Sequence, residues 1–165
     1  MALHPITQPD AGNSALRILL VEDSEIDRDL VRRLLTVMWP HRDELQIDFA
    51  TEGYGALDML HDNSYAMLLL DWRLPGMDGG HLLAALARTG IRVPVVVLTC
   101  LERSELKVNI EEYGAVFLHK DNLNIGNLHQ AIATALSNVL RSDTPAQPAK
   151  PANLPTNLMP SLGTA

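Results

Sequence analysis

The sequence is poor in several features that mark large classes of protein. It contains one cysteine, Cys100, so no disulfide can form within the chain and a reducing, cytoplasmic setting is expected. Its 13 basic residues are outnumbered by 20 acidic ones and form no stripe, which argues against direct binding to nucleic acid or to an anionic membrane. No apolar run is long enough to cross a bilayer, and the first residues lack the pattern of a secretory leader. These absences leave a globular domain in an aqueous compartment as the expected class.

Composition divides the 165 residues into a central domain and two tails. Residues 1–14 contain Pro5, Pro9 and Gly12 without any periodic pattern, which predicts a flexible N-terminal arm. Residues 142–165 are rich in proline and are predicted to be a disordered tail. An inert tail is favoured for this segment over a linker or a docking peptide. The folded domain is therefore expected to span residues 15–141.

Four apolar runs in this domain end at polar or charged residues. In chain order, the residues at these ends are Glu22 and Asp23, then Asp71, Thr99 and Lys120. Each run is typical of a buried parallel strand, and the carboxyl ends of parallel strands meet at the sheet edge where ligands bind. Three carboxylates there form an oxygen-only site suited to a hard cation, most plausibly Mg²⁺. A hydroxyl and an ammonium beside them suit a phosphoryl group.

Helical patterns alternate with these strands. Ser24 is placed to cap the first helix, with Asp27 in the capping-box position. A thin apolar stripe between Arg103 and Tyr113 predicts a largely exposed helix, and a longer stripe from Leu128 to Val139 predicts the last helix. Together with a short second strand near Ile47, the pattern makes five βα units. It predicts an α/β fold of three layers, with helices on both sides of a doubly wound, five-stranded parallel sheet.

Several short motifs in this order resemble the receiver domain of two-component response regulators over residues 17–141. The matching segments are Val21-Glu22-Asp23-Ser24, Asp71 with Leu74-Pro75 and Met77-Asp78-Gly79, Leu98-Thr99, Gly114-Ala115, and Phe117-Leu118 with Lys120. The resemblance implies the flavodoxin-like strand order 2-1-3-4-5.

The same resemblance implies a role for each site residue. Asp71 would be the phosphoacceptor, and Thr99 and Lys120 would bind the phosphoryl group. The implied Mg²⁺ ligands are Glu22, Asp23, Asp71 and the backbone carbonyl of Arg73. Thr99 and Phe117 would form the conformational switch.

The function implied is that of a signalling domain, with no catalysis beyond its own Mg²⁺-dependent phosphorylation and dephosphorylation. A sensor histidine kinase or a histidine phosphotransfer protein would donate the phosphoryl group. Output would pass to a downstream protein partner through the Arg103–Tyr113 helix, strand five and the last helix, by onward relay, or through a phosphorylation-dependent homodimer.

A phosphorylation-independent protein-binding module is the alternative. Glu22 stands where the family more often has aspartate, and Asp121 follows Lys120 where the family commonly has proline. Because no proline is present, the Lys120–Asp121 peptide is predicted to be trans.

Overall fold

The computed structural model describes residues 15–142. Five parallel strands form one sheet in the order β2-β1-β3-β4-β5. They are β1 (Leu16–Val21), β2 (Leu45–Ala50), β3 (Met67–Asp71), β4 (Val95–Thr99) and β5 (Val116–His119). The predicted strand order and the α/β class are confirmed.

Four α-helices connect or follow the strands. They are α1 (Glu25–Met38), α2 (Gly53–Asp62), α3 (Gly79–Thr89) and α4 (Ile125–Ser142). The predicted arm at residues 1–14 and the predicted tail from residue 143 onwards lie outside the described residues. Ser142, which was assigned to the tail, is the last residue of α4. In the described part of the chain, no helix combines the length and apolar composition that a bilayer span requires.

Successive side chains of the strands point to opposite faces of the sheet and pack into two hydrophobic cores, one on each face. Leu19, Leu68 and Val97 pack towards α2 and α3, while Leu20 and Leu69 pack towards α1 and α4. All five residues of β3 and of β4 are buried, because helices cover both faces at the centre of the sheet. These two strands therefore hold their last residues, Asp71 and Thr99, on a rigid support.

The strand register brings the functional ends to one edge. Val21 lies beside Leu70, Asp71 beside Leu98, and Thr99 beside His119. The residues that follow β1 and β5 are Glu22 and Lys120, so they emerge at the same edge as Asp71 and Thr99. The Lys120–Asp121 peptide is trans, as predicted.

The predicted helix from Arg103 to Tyr113 is wrong. The segment forms two 3₁₀ turns, Arg103–Leu106 and Ile110–Tyr113, separated at Lys107, whose φ of 55° is left-handed. Val108 and Asn109, which follow Lys107, favour helix poorly. As predicted, the segment is largely exposed, and Leu106 and Ile110 of its apolar stripe are 3% and 0% exposed. The predicted output surface therefore consists of two 3₁₀ turns, β5 and α4.

A polar network closes the opposite, amino edge of the sheet. Arg17 of β1 donates from Nε to Asp48 of β2 at 2.8 Å and from Nη1 to the side-chain oxygen of Asn63 at 3.0 Å. The Tyr65 hydroxyl donates to the same Asp48 carboxylate at 2.9 Å, and the Arg17 guanidinium lies 4.9 Å from the Tyr65 ring centroid. The network joins the edge strand β2 to β1 and to the loop before β3.

Candidate functional site

Three carboxylates converge at the carboxyl edge of the sheet. Glu22, Asp23 and Asp71 each offer an oxygen within 4.8 Å of the other two. Asp71 ends β3, and the other two acids directly follow β1, where Arg28 of α1 donates to both of their backbone carbonyls at 2.8 and 3.1 Å. An oxygen-only donor set of this kind fits Mg²⁺. Among the described residues, no second group of potential metal-ligating side chains meets the same distance limit.

Lys120 lies against this cluster and is nearly buried. Its Nζ is 2.6 Å from Glu22 Oε2 and 3.5 Å from Asp71 Oδ2, and its side chain is 13% exposed. The Glu22 and Asp71 side chains are 3% and 9% exposed. The ammonium is therefore the cation that offsets buried negative charge at the end of β3.

Burial and charge move the pKa values of these groups in a consistent pattern. Burial raises the pKa of Glu22 and of Asp71 above their usual values, against the lowering effect of Lys120. Burial alone would lower the pKa of Lys120, but hydrogen bonds to Asp27 and Glu22 outweigh it and the pKa is raised. A cation that binds among the acids would stabilise their ionised forms.

Asp27 is a neighbour of the site that sequence reasoning missed. Ser24 caps α1 as predicted, accepting the Asp27 backbone N–H at 3.3 Å, but the Asp27 carboxylate does not complete a capping box. Instead it accepts a hydrogen bond from Lys120 Nζ at 2.8 Å, and Glu22 Oε1 accepts the Ser24 backbone N–H. The sequence carries no local signal for this contact, because Lys120 lies 93 residues away along the chain.

Thr99 and Arg73 line the same cleft as Asp71 and Lys120. The cleft has a volume of about 370 Å³ and is also lined by Cys100, Leu101 and Glu105. Thr99 is 1% exposed, and its hydroxyl accepts the Leu101 backbone N–H at 3.2 Å. The structure therefore places Thr99 in the cleft beside Asp71, while the phosphoryl-binding role of Thr99 and the metal-binding role of the Arg73 carbonyl stay predictions.

Phe117 is partly buried and packs against the core on the α2 and α3 face rather than in the cleft. Its ring centroid is 6.5 Å from that of His119. His119 Nε2 lies 3.1 Å from the Cys100 carbonyl oxygen, and its Nδ1 accepts the Asp121 backbone N–H at 3.2 Å. His119, which was not a predicted site residue, thus ties the loop after β4 to the loop that carries Lys120.

Comparison with known proteins agrees with this fold. The response regulator receiver domain family matches residues 18–133. The chain is 34% identical over 131 residues to a gliding motility regulatory protein of Myxococcus xanthus, covering 78% of this chain and 16% of that protein. It is 33% identical over 100 residues to the transcriptional regulatory protein QseB of Escherichia coli O157:H7, covering 61% and 43%. The chain thus spans less than half the length of either relative.

A solved structure shares the fold. The receiver domain of a sensor histidine kinase from Pseudomonas aeruginosa PAO1 superposes with a TM-score of 0.61 at 22% identity, covering 75% of this chain and 99% of that one. That structure has a magnesium ion coordinated in its active-site cleft. The chain described here belongs to the response regulator receiver domain family.

Proposed function

We propose that Asp71 accepts a phosphoryl group from a phosphohistidine of a sensor histidine kinase or a histidine phosphotransfer protein. The observation that carries the proposal is the position of Asp71, at the end of a buried strand with Lys120 Nζ 3.5 Å away and two further acids within 4.8 Å. Phosphoryl transfer depends mainly on positioning and on compensation of charge. This site offers both.

In the proposed reaction, an Asp71 carboxylate oxygen attacks phosphorus and forms an acyl phosphate. The bond from phosphorus to the donor nitrogen breaks, and its electron pair returns to the imidazole. Lys120 would donate an N–H to a phosphoryl oxygen, and the Thr99 hydroxyl would bind a second one. Burial raises the pKa of Asp71, and positive charge nearby favours the ionised form that attacks.

Magnesium fits the acid cluster and would supply part of this charge. Glu22, Asp23, Asp71 and the Arg73 carbonyl would hold it, with water completing the shell. When bound, Mg²⁺ would supply positive charge beside the transferred oxygens and so would reduce their repulsion from the attacking carboxylate. Arg28 supports this role by fixing the backbone of the Glu22–Asp23 pair.

The surface of α1 beside the site suits the protein that donates the phosphoryl group. Ile26 and Leu30 are 82% and 47% exposed, and they line a shallow depression with Glu25, Asp29 and Arg33. An apolar patch with a charged rim is typical of a protein-binding surface. Output would use the two 3₁₀ turns, β5 and α4, by protein contact, homodimerisation or onward relay.

Intact mass spectrometry tests the proposal. After incubation with Mg²⁺ and acetyl phosphate, the protein should gain the mass of one phosphoryl group. Asp71→Asn should abolish the gain, whereas Asp62→Asn, which removes an acid that is 73% exposed at the end of α2, should not. A phosphoryl group on the Asp71→Asn protein would contradict the assignment.

A phosphorylation-independent binding module is the second candidate. The observation that favours it is the pairing of Lys120, whose ammonium is closer to Glu22 and Asp27 than to Asp71. If the wild-type protein gains no phosphoryl mass from acetyl phosphate or from a phosphorylated histidine donor, this second candidate is the better one.

A further inference from the structure

We propose that Asp27 is a positioning residue for Lys120. The Asp27 carboxylate accepts one hydrogen of the Lys120 ammonium and thereby directs another hydrogen towards Asp71. The inference rests on the proposed function, because the lysine acts there on the phosphoryl group. It adds a residue of α1 to a site otherwise built from the carboxyl ends of strands.

The geometry around the ammonium carries the inference. A lysine ammonium has three hydrogens to donate, and three carboxylates surround Lys120 Nζ. Glu22 Oε2 is 2.6 Å away and Asp27 Oδ2 is 2.8 Å away, both at hydrogen-bonding distance. The third acid, Asp71, has its Oδ2 at 3.5 Å. With two hydrogens engaged by Glu22 and Asp27, the third is left for the phosphoacceptor.

Helix capping does not account for the Asp27 side chain. An acid in the first turn of a helix is favourable for the helix dipole, but the cap is made by Ser24. The backbone N–H that a capping-box acid would accept is already bound to Glu22 Oε1. Lys120 is the hydrogen-bond partner the structure gives to the Asp27 carboxylate.

Asp27 also holds the lysine without being part of the metal cluster. That cluster consists of Glu22, Asp23 and Asp71, so a bound cation draws on Glu22, which is the other anchor of Lys120. Asp27 lies outside this cluster, so its contact with the ammonium would not compete with the cation. The Asp27 side chain is 37% exposed, and an ion pair this exposed adds little to stability. The main effect of Asp27 is therefore on the orientation of the lysine.

The lysine needs such an anchor because its backbone lies in a short turn and its side chain is flexible. It begins a short 3₁₀ turn, Lys120–Asn122, and its four-carbon stem has many rotamers. With Glu22 as the only close partner, the ammonium could rotate away from Asp71. A small displacement of a catalytic group slows a reaction strongly, since a shift of about 1 Å can lower the rate about a hundredfold.

The test measures the rate of phosphorylation by acetyl phosphate at saturating Mg²⁺ in the full chain. Asp27→Ala should lower the rate roughly tenfold, below the limit for a full 1 Å displacement. Asp27→Asn should retain most of the rate, because its amide oxygen still accepts a hydrogen bond. The control is Asp58→Ala, which removes an exposed acid from α2, a helix outside the site.

The half-saturating Mg²⁺ concentration separates orientation from a general loss of charge. The half-saturating concentration should be the same in Asp27→Ala and Asp58→Ala, with only the plateau rate differing. Asp27→Glu keeps the charge and the acid in the first turn but shifts the carboxylate by one methylene, so it should also be slower than wild type. This variant keeps the inference testable if Asp27→Ala does not fold.

Three results would overturn the inference. They are an unchanged rate in Asp27→Ala, a faster rate in it, and equal losses in Asp27→Ala and Asp27→Asn. A wild-type protein that accepts no phosphoryl group would overturn the proposed function itself. Normal phosphorylation of the Asp27→Ala protein would instead contradict only the positioning role of Asp27.

Discussion

Replacing Lys120 by methionine should destabilise the fold, because the change leaves buried acids without their cation. Methionine keeps an unbranched apolar stem, so most of the packing is retained. The lysine contacts Glu22 and Asp71, whose side chains are 3% and 9% exposed. Removing one partner of a buried ion pair costs about 3–5 kcal/mol. The Asp27 pair adds little because solvent screens it.

We expect a loss of about 3 kcal/mol in the free energy of unfolding near neutral pH without Mg²⁺, at the low end of that range. The reason is that Glu22 and Asp71 can take up protons when the cation is lost. Burial already raises their pKa values, and removal of Lys120 raises them further. The folded state then binds more protons than the unfolded state. The unfolding free energy therefore falls as pH rises from the unfolded pKa of these acids through their higher folded pKa.

The loss should therefore shrink as pH is lowered towards the ordinary carboxyl pKa of about 4. Urea unfolding followed by far-ultraviolet circular dichroism measures it at several pH values, with and without Mg²⁺. Added Mg²⁺ should restore part of the stability, because it binds the folded protein. Lys107→Met, at an exposed lysine, is the control.

The reasoning about Lys120 is refuted by a loss below about 1 kcal/mol, the range of an exposed ion pair. A loss that does not change with pH would refute the role of the two buried acids, even if its size were as expected.

Three further predictions concern the surroundings of the site. Mg²⁺ should quench or shift the fluorescence of Trp72, which is 6% exposed and follows the phosphoacceptor; a response that persists in Trp72→Phe would place the metal elsewhere. Gly79→Ala should destabilise the protein by about 1–3 kcal/mol in urea unfolding, because the new Cβ would lie 2.7 Å from Trp72 Cε3, whereas Gly55→Ala meets nothing closer than 3.6 Å and should be neutral or better. Beryllofluoride, a phosphoryl mimic, should change hydrogen exchange in the two 3₁₀ turns more than in α1; a change confined to α1 would argue against the output surface.

The sheet and the positions of the predicted site residues followed from local sequence patterns. Short apolar runs that end at Asp71 and Thr99 are informative because a fully buried parallel strand tolerates polar residues only at its ends. Parallel pairing then brings those ends together whatever the loops do. The acid cluster and its lysine are for this reason visible in sequence, although they come from segments far apart in the chain.

Two features could not be found this way, because tertiary contacts decide them. Leu106 and Ile110 are four residues apart, which is typical of a helix, yet both reach the core across a break at Lys107. A left-handed lysine leaves no mark in sequence, unlike a glycine. Asp27 reads locally as a capping acid, but its partner Lys120 is 93 residues away, and that contact is stronger than the local one.

The pKa shifts of the acids at the two edges of the sheet have opposite directions. Burial by itself raises the pKa of Asp48, but hydrogen bonds from Gln46, Tyr65 and Arg17 outweigh it and hold that pKa below its usual value. Asp48 therefore stabilises the fold above its unfolded pKa and loses this effect as pH falls through its folded pKa. Glu22 and Asp71 at the carboxyl edge, whose pKa values are raised by burial, behave in the reverse sense. Mild acidification therefore removes buried negative charge at the carboxyl edge while Asp48 stays ionised and hydrogen-bonded, so the carboxyl edge can vary in charge without releasing strand β2.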